Sequence, residues 1–161
     1  KHLNTSYFGV SYDMLFGEKH LIRPEIAYKQ AGARSDLNNI PLRWELNYLD
    51  INVSYSFQLY AWEKVQLYMG LGPAMSILMG GEQQIGDRVY DVVEEESLKR
   101  IDFGVNFMAH SKFLISENLY LTLEYRYGLG ILQIESNVDQ PDEQTSRNRY
   151  HAVLAGLAFN L

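Results

Sequence analysis

Eight charged residues fall where strand alternation places them on one side of successive segments: Asp13, Arg23, Glu25, Lys29, Asp50, Asp102, Glu124 and Arg126. Carboxylates gathered in this way can pass protons or ions, or hold a small ligand. Interleaved with arginines they neutralise one another first, because a charge taken out of water needs a partner. Arg23, Glu25, Asp50, Asp102, Glu124 and Arg126 are therefore expected to form an internal polar network, with Arg126 and Arg23 contacting Glu25, Glu124, Asp102 or Asp50. The sharper reading of the same residues is an ion path or a small-ligand site. A nucleophile beside a base occurs at Ser111 and His110, but adjacent residues of a strand point to opposite faces, which separates the pair. A hydrolase would also need an acid and an oxyanion donor close to them. His2, His20 and His151 are scattered without metal-ligand spacing, and there is no cysteine to supply a thiolate. No catalytic residue, metal site or cofactor site is expected.

These residues need a scaffold that holds them on one face, and the composition limits its kind. The 161 residues suit one domain, 1–161, and their 47% hydrophobic and 21% charged content is that of a folded chain. A net charge of -6 without a basic stripe argues against a nucleic-acid partner. No segment approaches the roughly 18 apolar residues of a spanning helix. A membrane barrel passes that filter unseen, since its strands alternate and average to a polar score. The 12 tyrosines suit a boundary that is apolar on one side and wet on the other.

The periodicity is two almost throughout. In 48–57, Leu49, Ile51, Val53, Tyr55 and Phe57 share one face and Asp50, Asn52, Ser54 and Ser56 the other. Segments 65–79, 100–113, 119–134 and 150–161 repeat the pattern, and two earlier strands fall near 5–16 and 20–33. Strands of roughly 12–16 residues exceed the soluble average of about 5–6. Connections near 17–19, 59–64 and 115–118 are short, and those near 34–43, 80–97 and 135–148 long, the asymmetry of a chain that threads a bilayer. The segment 43–48 carries its apolar residues at even positions, which suggests a bulge or a stretch above the bilayer.

Alternation alone does not say which face is inside. A soluble lipocalin-like barrel would turn the apolar face inward. The polar face here carries Gly70, Gly72, Gly104, Gly128, Gly130 and Gly156, which make room inside a narrow barrel and have no purpose on a solvated surface. The apolar face is rich in Leu, Tyr, Phe and Met, too much volume for an eight-strand interior. The expected fold is thus an all-β, antiparallel, up-and-down transmembrane β-barrel of about eight strands, about seven of them in this chain. The eighth is expected upstream of Lys1, with 85–93 as an internal alternative. Phe16, Phe57, Tyr60, Trp62, Phe113 and Phe159 are assigned to a girdle at the short-turn end, and Tyr28, Trp44, Tyr48 and Tyr127 to the opposite one.

Several segments in order resemble the PorT-like outer-membrane β-barrel family of Bacteroidota. They are Arg23-Pro24-Glu25-Ile26-Ala27-Tyr28-Lys29-Gln30-Ala31-Gly32, Leu46-Asn47-Tyr48-Leu49-Asp50-Ile51, Gly70-Leu71-Gly72-Pro73, Asp102-Phe103-Gly104, Glu124-Tyr125-Arg126-Tyr127-Gly128-Leu129 and Ala155-Gly156-Leu157-Ala158-Phe159. The resemblance spans most of the chain from about residue 6. It implies an eight-stranded barrel with one more strand before 5–16, and a namesake tied to type IX secretion. It carries no catalytic motif.

The expectation is an integral protein of the bacterial outer membrane with a periplasmic C-terminus, in contact with lipid and lipopolysaccharide. It would act without catalysis as a structural or interaction subunit of a secretion or envelope assembly. A surface barrel that binds ligands through acidic outer loops is the alternative, with Asp87, Asp91, Glu94, Glu95, Glu96, Asp139, Asp142 and Glu143 as loop acids; a soluble lipocalin-like barrel is another. The loop acids lack EF-hand spacing.

Overall fold

A computed structural model describes residues 6–37, 40–86, 88–92, 99–131 and 149–159. Its regular elements are all strands: β1 (Tyr7–Ser11), β2 (Met14–Phe16), β3 (His20–Leu37), β4 (Ile40–Trp62), β5 (Val65–Ile85), β6 (Arg88–Asp91), β7 (Ile101–Ser116), β8 (Leu119–Gly130) and β9 (Arg149–Phe159). One sheet holds them in the order β1-β3-β4-β5-β7-β8-β9, with β2 on β3 and β6 on β5. β1 and β2 are two parts of one stave, so seven antiparallel staves follow one another in chain order and curl into an open half-barrel. This is the all-β up-and-down architecture expected from the periodicity.

Local chemistry sets the reversals. The turn at 17–19 places Gly17 at φ 69, a left-handed conformation that costs glycine little. Two residues each, 63–64 and 117–118, connect β4 to β5 and β7 to β8. The break between β1 and β2 has its cause across the ladder. Tyr12 lies opposite Pro24, and its N–H donates to the Pro24 carbonyl at 3.1 Å. Proline has no N–H to return, so the ladder lapses there. Asp13 then stands beside Arg23.

Several expectations need correction. The connection 34–43 is not a long loop: β3 and β4 stay paired up to Leu37↔Ile40. Likewise β5 continues to Ile85, reverses at Gly86 (φ 59), and β6 pairs back onto it. Staves of 18, 23 and 21 residues result, and 85–93 supplies no eighth stave. Backbone pairing needs an apolar face only where a face is buried, so polar hairpin arms such as Glu82-Gln83-Gln84 carry no hydropathic trace. The connection at 135–148 lies outside the described residues. The irregularity at 43–48 is a bulge, as one of its two readings had it, but the extra residue is on the neighbouring strand. β4 runs through it, and the slip is in β5, where Met79 is the extra residue between the partners of Asn47 and Tyr48. Above Asp50 the inner face turns apolar: Tyr48, Leu78 and Val92 form a buried cluster against which Leu46 and Ala31 pack. Tyr48 therefore belongs to the interior, not to an outer girdle.

The faces are inverted relative to a soluble barrel. Val53, Phe103 and Leu123 point outward at 47%, 48% and 42% exposure, and Ile51 and Val105 are half-exposed on the same side. Asp50, Asn52, Ser54, Ser56, Asp102, Asn106, His110, Lys112, Glu124 and Arg126 are buried on the other. At the short-turn end Phe16, Phe57, Tyr60, Trp62 and Phe159 are exposed, and Phe113 is half-buried.

Candidate functional site

The interior is a continuous polar assembly. Its spine is a row of six alternating charges: Lys112, Asp13, Arg23, Glu124, Arg126 and Glu25. Arg23 holds Asp13 through Nε at 2.5 Å and Glu124 through Nη1 at 2.9 Å. Arg126 reaches Glu124 at 2.6 Å on its own strand. Its two terminal nitrogens then grip both oxygens of Glu25 on β3, at 2.6 and 2.9 Å. That fork geometry is the strongest form of a carboxylate pair. Lys112 closes the row on Asp13. Three acids and three bases balance, so the row has no net charge.

Neutral groups complete it. The Tyr7 hydroxyl donates to Glu25 at 2.5 Å and accepts from Arg126 at 2.6 Å, and Asn52 donates to Glu25 at 2.9 Å. Asn106 links Asn52 to the Tyr150 hydroxyl at 3.2 and 2.8 Å. His110 stacks on Tyr68 with centroids 4.7 Å apart, and its Nε2 is 3.3 Å from Arg23 Nη2. A second knot lies one level toward the long connections. Asp50 pairs with Lys29 at 2.9 Å and accepts from Ser76 at 2.6 Å. The Lys29 ammonium sits over the Tyr48 and Tyr150 rings, 5.1 and 4.8 Å from their centroids. Asp102 is buried beside it, opposite Ser76.

Of the six residues singled out from the sequence, Arg23, Glu25, Glu124 and Arg126 are brought into one row. Asp50 lies in the second knot, with Lys29 rather than an arginine as its ionic partner, and Asp102 lies beside that knot. Tyr7, Lys112, Asn52, Asn106 and Tyr150 were not singled out. Parity was the signal for Lys112: it continues the series Asp102, Asn106, His110 by two. His110 and Ser111 do point apart, His110 into the interior and Ser111 toward the Leu123 carbonyl at 3.4 Å on the other side. Of the loop acids only Asp91 lies within the described residues, at the end of β6; the other seven lie outside them.

Glycine serves this assembly by absence. A Cβ on Gly128 would lie 2.1 Å from the Tyr150 ring. The ring thus lies flat over β8, which brings its hydroxyl to Asn106.

One side of the interior is open. Among the described residues β1 pairs only with β3, and β9 only with β8. A cleft of about 570 Å³ lies between them, lined by Tyr7, Gly9, Ser11, Glu25, Arg126 and 151–156 among others. No protein-family model matches the chain, and searches of curated proteins and of solved structures find no match either.

Proposed function

We propose that this chain is an integral β-barrel of a bacterial outer membrane, with its C-terminus on the periplasmic side, and that it works as a structural or interaction subunit of an envelope assembly. The observation that carries the reading is the inversion of faces. Water on the outside would leave Val53, Phe103, Leu123 and their neighbours as one continuous apolar wall, which a soluble monomer does not maintain. Acyl chains accept such a wall at no cost. A lipocalin-like barrel would need the opposite orientation.

The interior favours a plug over a channel. A narrow barrel whose lumen is filled by an ion-paired row leaves no continuous water column. The resemblance to PorT-like barrels of Bacteroidota points the same way, toward an interaction role in an assembly such as type IX secretion.

The test is detergent extraction of outer membranes followed by electrophoresis with and without boiling. A folded barrel that migrates faster before heating is the expected result; recovery in the soluble fraction overturns the reading. Capture of one discrete partner at stoichiometric yield from solubilised membranes is expected for the assembly role, and a barrel recovered alone counts against it.

A further inference from the structure

We propose that Arg149 and His151, side by side on the outward face of β9, hold the phosphate of an anionic lipid in the leaflet at the long-connection end. The inference deepens the membrane reading and rests on it.

Orientation is fixed from inside. The Tyr150 hydroxyl donates to Asn106 in the interior at 2.8 Å, and neighbours along a strand point to opposite faces. Arg149 and His151 are therefore both outward, and both are exposed. Same-face neighbours lie about 6.6 Å apart at roughly 3.3 Å per residue, a span that one phosphate group can bridge.

Height follows from the ion row. Arg126 on β8 holds Glu25 on β3, and Arg23 on β3 holds Glu124 on β8. Both strands run away from a short turn, so residues 25 and 126 share a level, as do 23 and 124. Three residues further on, Tyr28 and Leu129 share one too. Tyr28 closes the outward apolar run of β3: its hydroxyl donates to Asn47 at 2.8 Å, and Gln30↔Asn47 is the next outward pair. Arg149 stands directly opposite Leu129. It thus lies at the rim of the apolar band, where headgroups begin.

The chemistry at that rim suits an anion. The His151 ring stacks on Tyr127 with centroids 4.7 Å apart, and its Nδ1 lies 2.6 Å from the Tyr125 hydroxyl. With the hydroxyl donating to Nδ1, the proton of the neutral ring is on Nε2, on the far side from Tyr125. Arg149 offers a planar fork that matches phosphate. None of the ion pairs among the described residues involves it. The chain carries a net charge of -6, so its overall field repels anions and the attraction has to be local.

What lies below the pair selects a lipid. Phe107, Tyr125 and Val153 are exposed there as apolar wall. A lipid lays its acyl chains on that wall while its phosphate meets Arg149; a free phosphate leaves the wall unused. The Tyr–His geometry recurs at the short-turn end, where His20 Nδ1 lies 2.6 Å from the Tyr55 hydroxyl. The next outward residue of that strand is Ile22, so the arginine is missing and that pair serves as a control.

The test is native mass spectrometry of the barrel, extracted from outer membranes into neutral detergent and freed of lipid. It is titrated with lipid A, with dephosphorylated lipid A and with inorganic phosphate. Lipid A is expected to bind as one tight copy, and Arg149→Gln and His151→Phe are each expected to weaken it about tenfold. Dephosphorylated lipid A should bind the unaltered barrel about tenfold more weakly as well, and His20→Phe should change nothing. Equal binding of the two lipids, or lipid A binding that ignores Arg149→Gln, overturns the site. So does inorganic phosphate that competes at the same concentration as lipid A, because the ligand is then the free ion. Each variant is checked for faster migration before boiling. A barrel that passes this check and ignores lipid phosphate loses the site and keeps the membrane reading; a protein recovered in the soluble fraction loses both.

Discussion

The wall formed by β4 and β5 and the flank formed by β1 and β9 use the same alternation and reach opposite states. In the wall each strand is paired on both sides, and the inward residues are sealed: Asp50 is 1% exposed. In the flank each strand is paired, among the described residues, on one side only, and the inward residues Gly9, Ser11 and Gly156 remain exposed. The difference teaches that burial inside a barrel is conferred by neighbours, not by the residue itself. It also shows why the row of charges is anchored where it is. Arg126, on the stave next to β9, reaches across to Glu25 on β3 and to the Tyr7 hydroxyl on β1, and so ties the two sides of the flank together without a backbone bond.

Cutting that tie should have the largest effect. Arg126→Leu leaves Glu25 without an ionic partner and Glu124 with Arg23 alone, which costs about 3–5 kcal/mol for a broken buried pair. Thermal unfolding of the refolded barrel in detergent should show a much lower midpoint. An unchanged midpoint would remove Arg126 from any structural role and with it the contrast between tie and wall. Next in size, Leu123→Arg and Val53→Arg place a charge on the outward face near the flank and within the wall. Each should cost about 2–4 kcal/mol if both positions meet lipid near the midplane. Equilibrium unfolding in phospholipid vesicles measures this, and neutral substitutions would indicate water outside. Gly128→Leu should cost about 1–3 kcal/mol by overpacking against Tyr150, and Tyr150→Ala in the same chain should recover part of it. A double-mutant cycle that shows no coupling would break the assignment. Smallest of all, Glu45→Gln loosens the exposed contact with Arg43 and should change stability by less than about 1 kcal/mol. A larger drop in the unfolding midpoint would show that the upper hairpin is part of the cooperative unit.

Much of this was legible because alternation reports burial directly. The inward placement of Arg23, Glu25, Glu124 and Arg126 follows from parity in strands whose outward positions are apolar. The reach of β3, β4 and β5 beyond the apolar band was not legible, because hairpin arms that bury neither face have no pattern to display. Tyr48 was misplaced for a related reason. An aromatic near a strand end reads as a girdle residue, yet its parity with Asp50 already put it inside. Which acid pairs with which base was beyond sequence reading, because it depends on how far the sheet curls before Glu124 of β8 faces Arg23 of β3, a distance of 101 residues along the chain.

The strict alternation of the six-charge row has a consequence for how such a protein can change. Every interior member touches two opposite charges, so no single substitution of sign can be absorbed locally. Drift toward a conducting pore would have to proceed by matched exchanges of an acid and a base together, and until both occurred the intermediate would fold poorly. On the proposed reading, the plugged interior is kept so by the improbability of such paired changes as well as by its atoms.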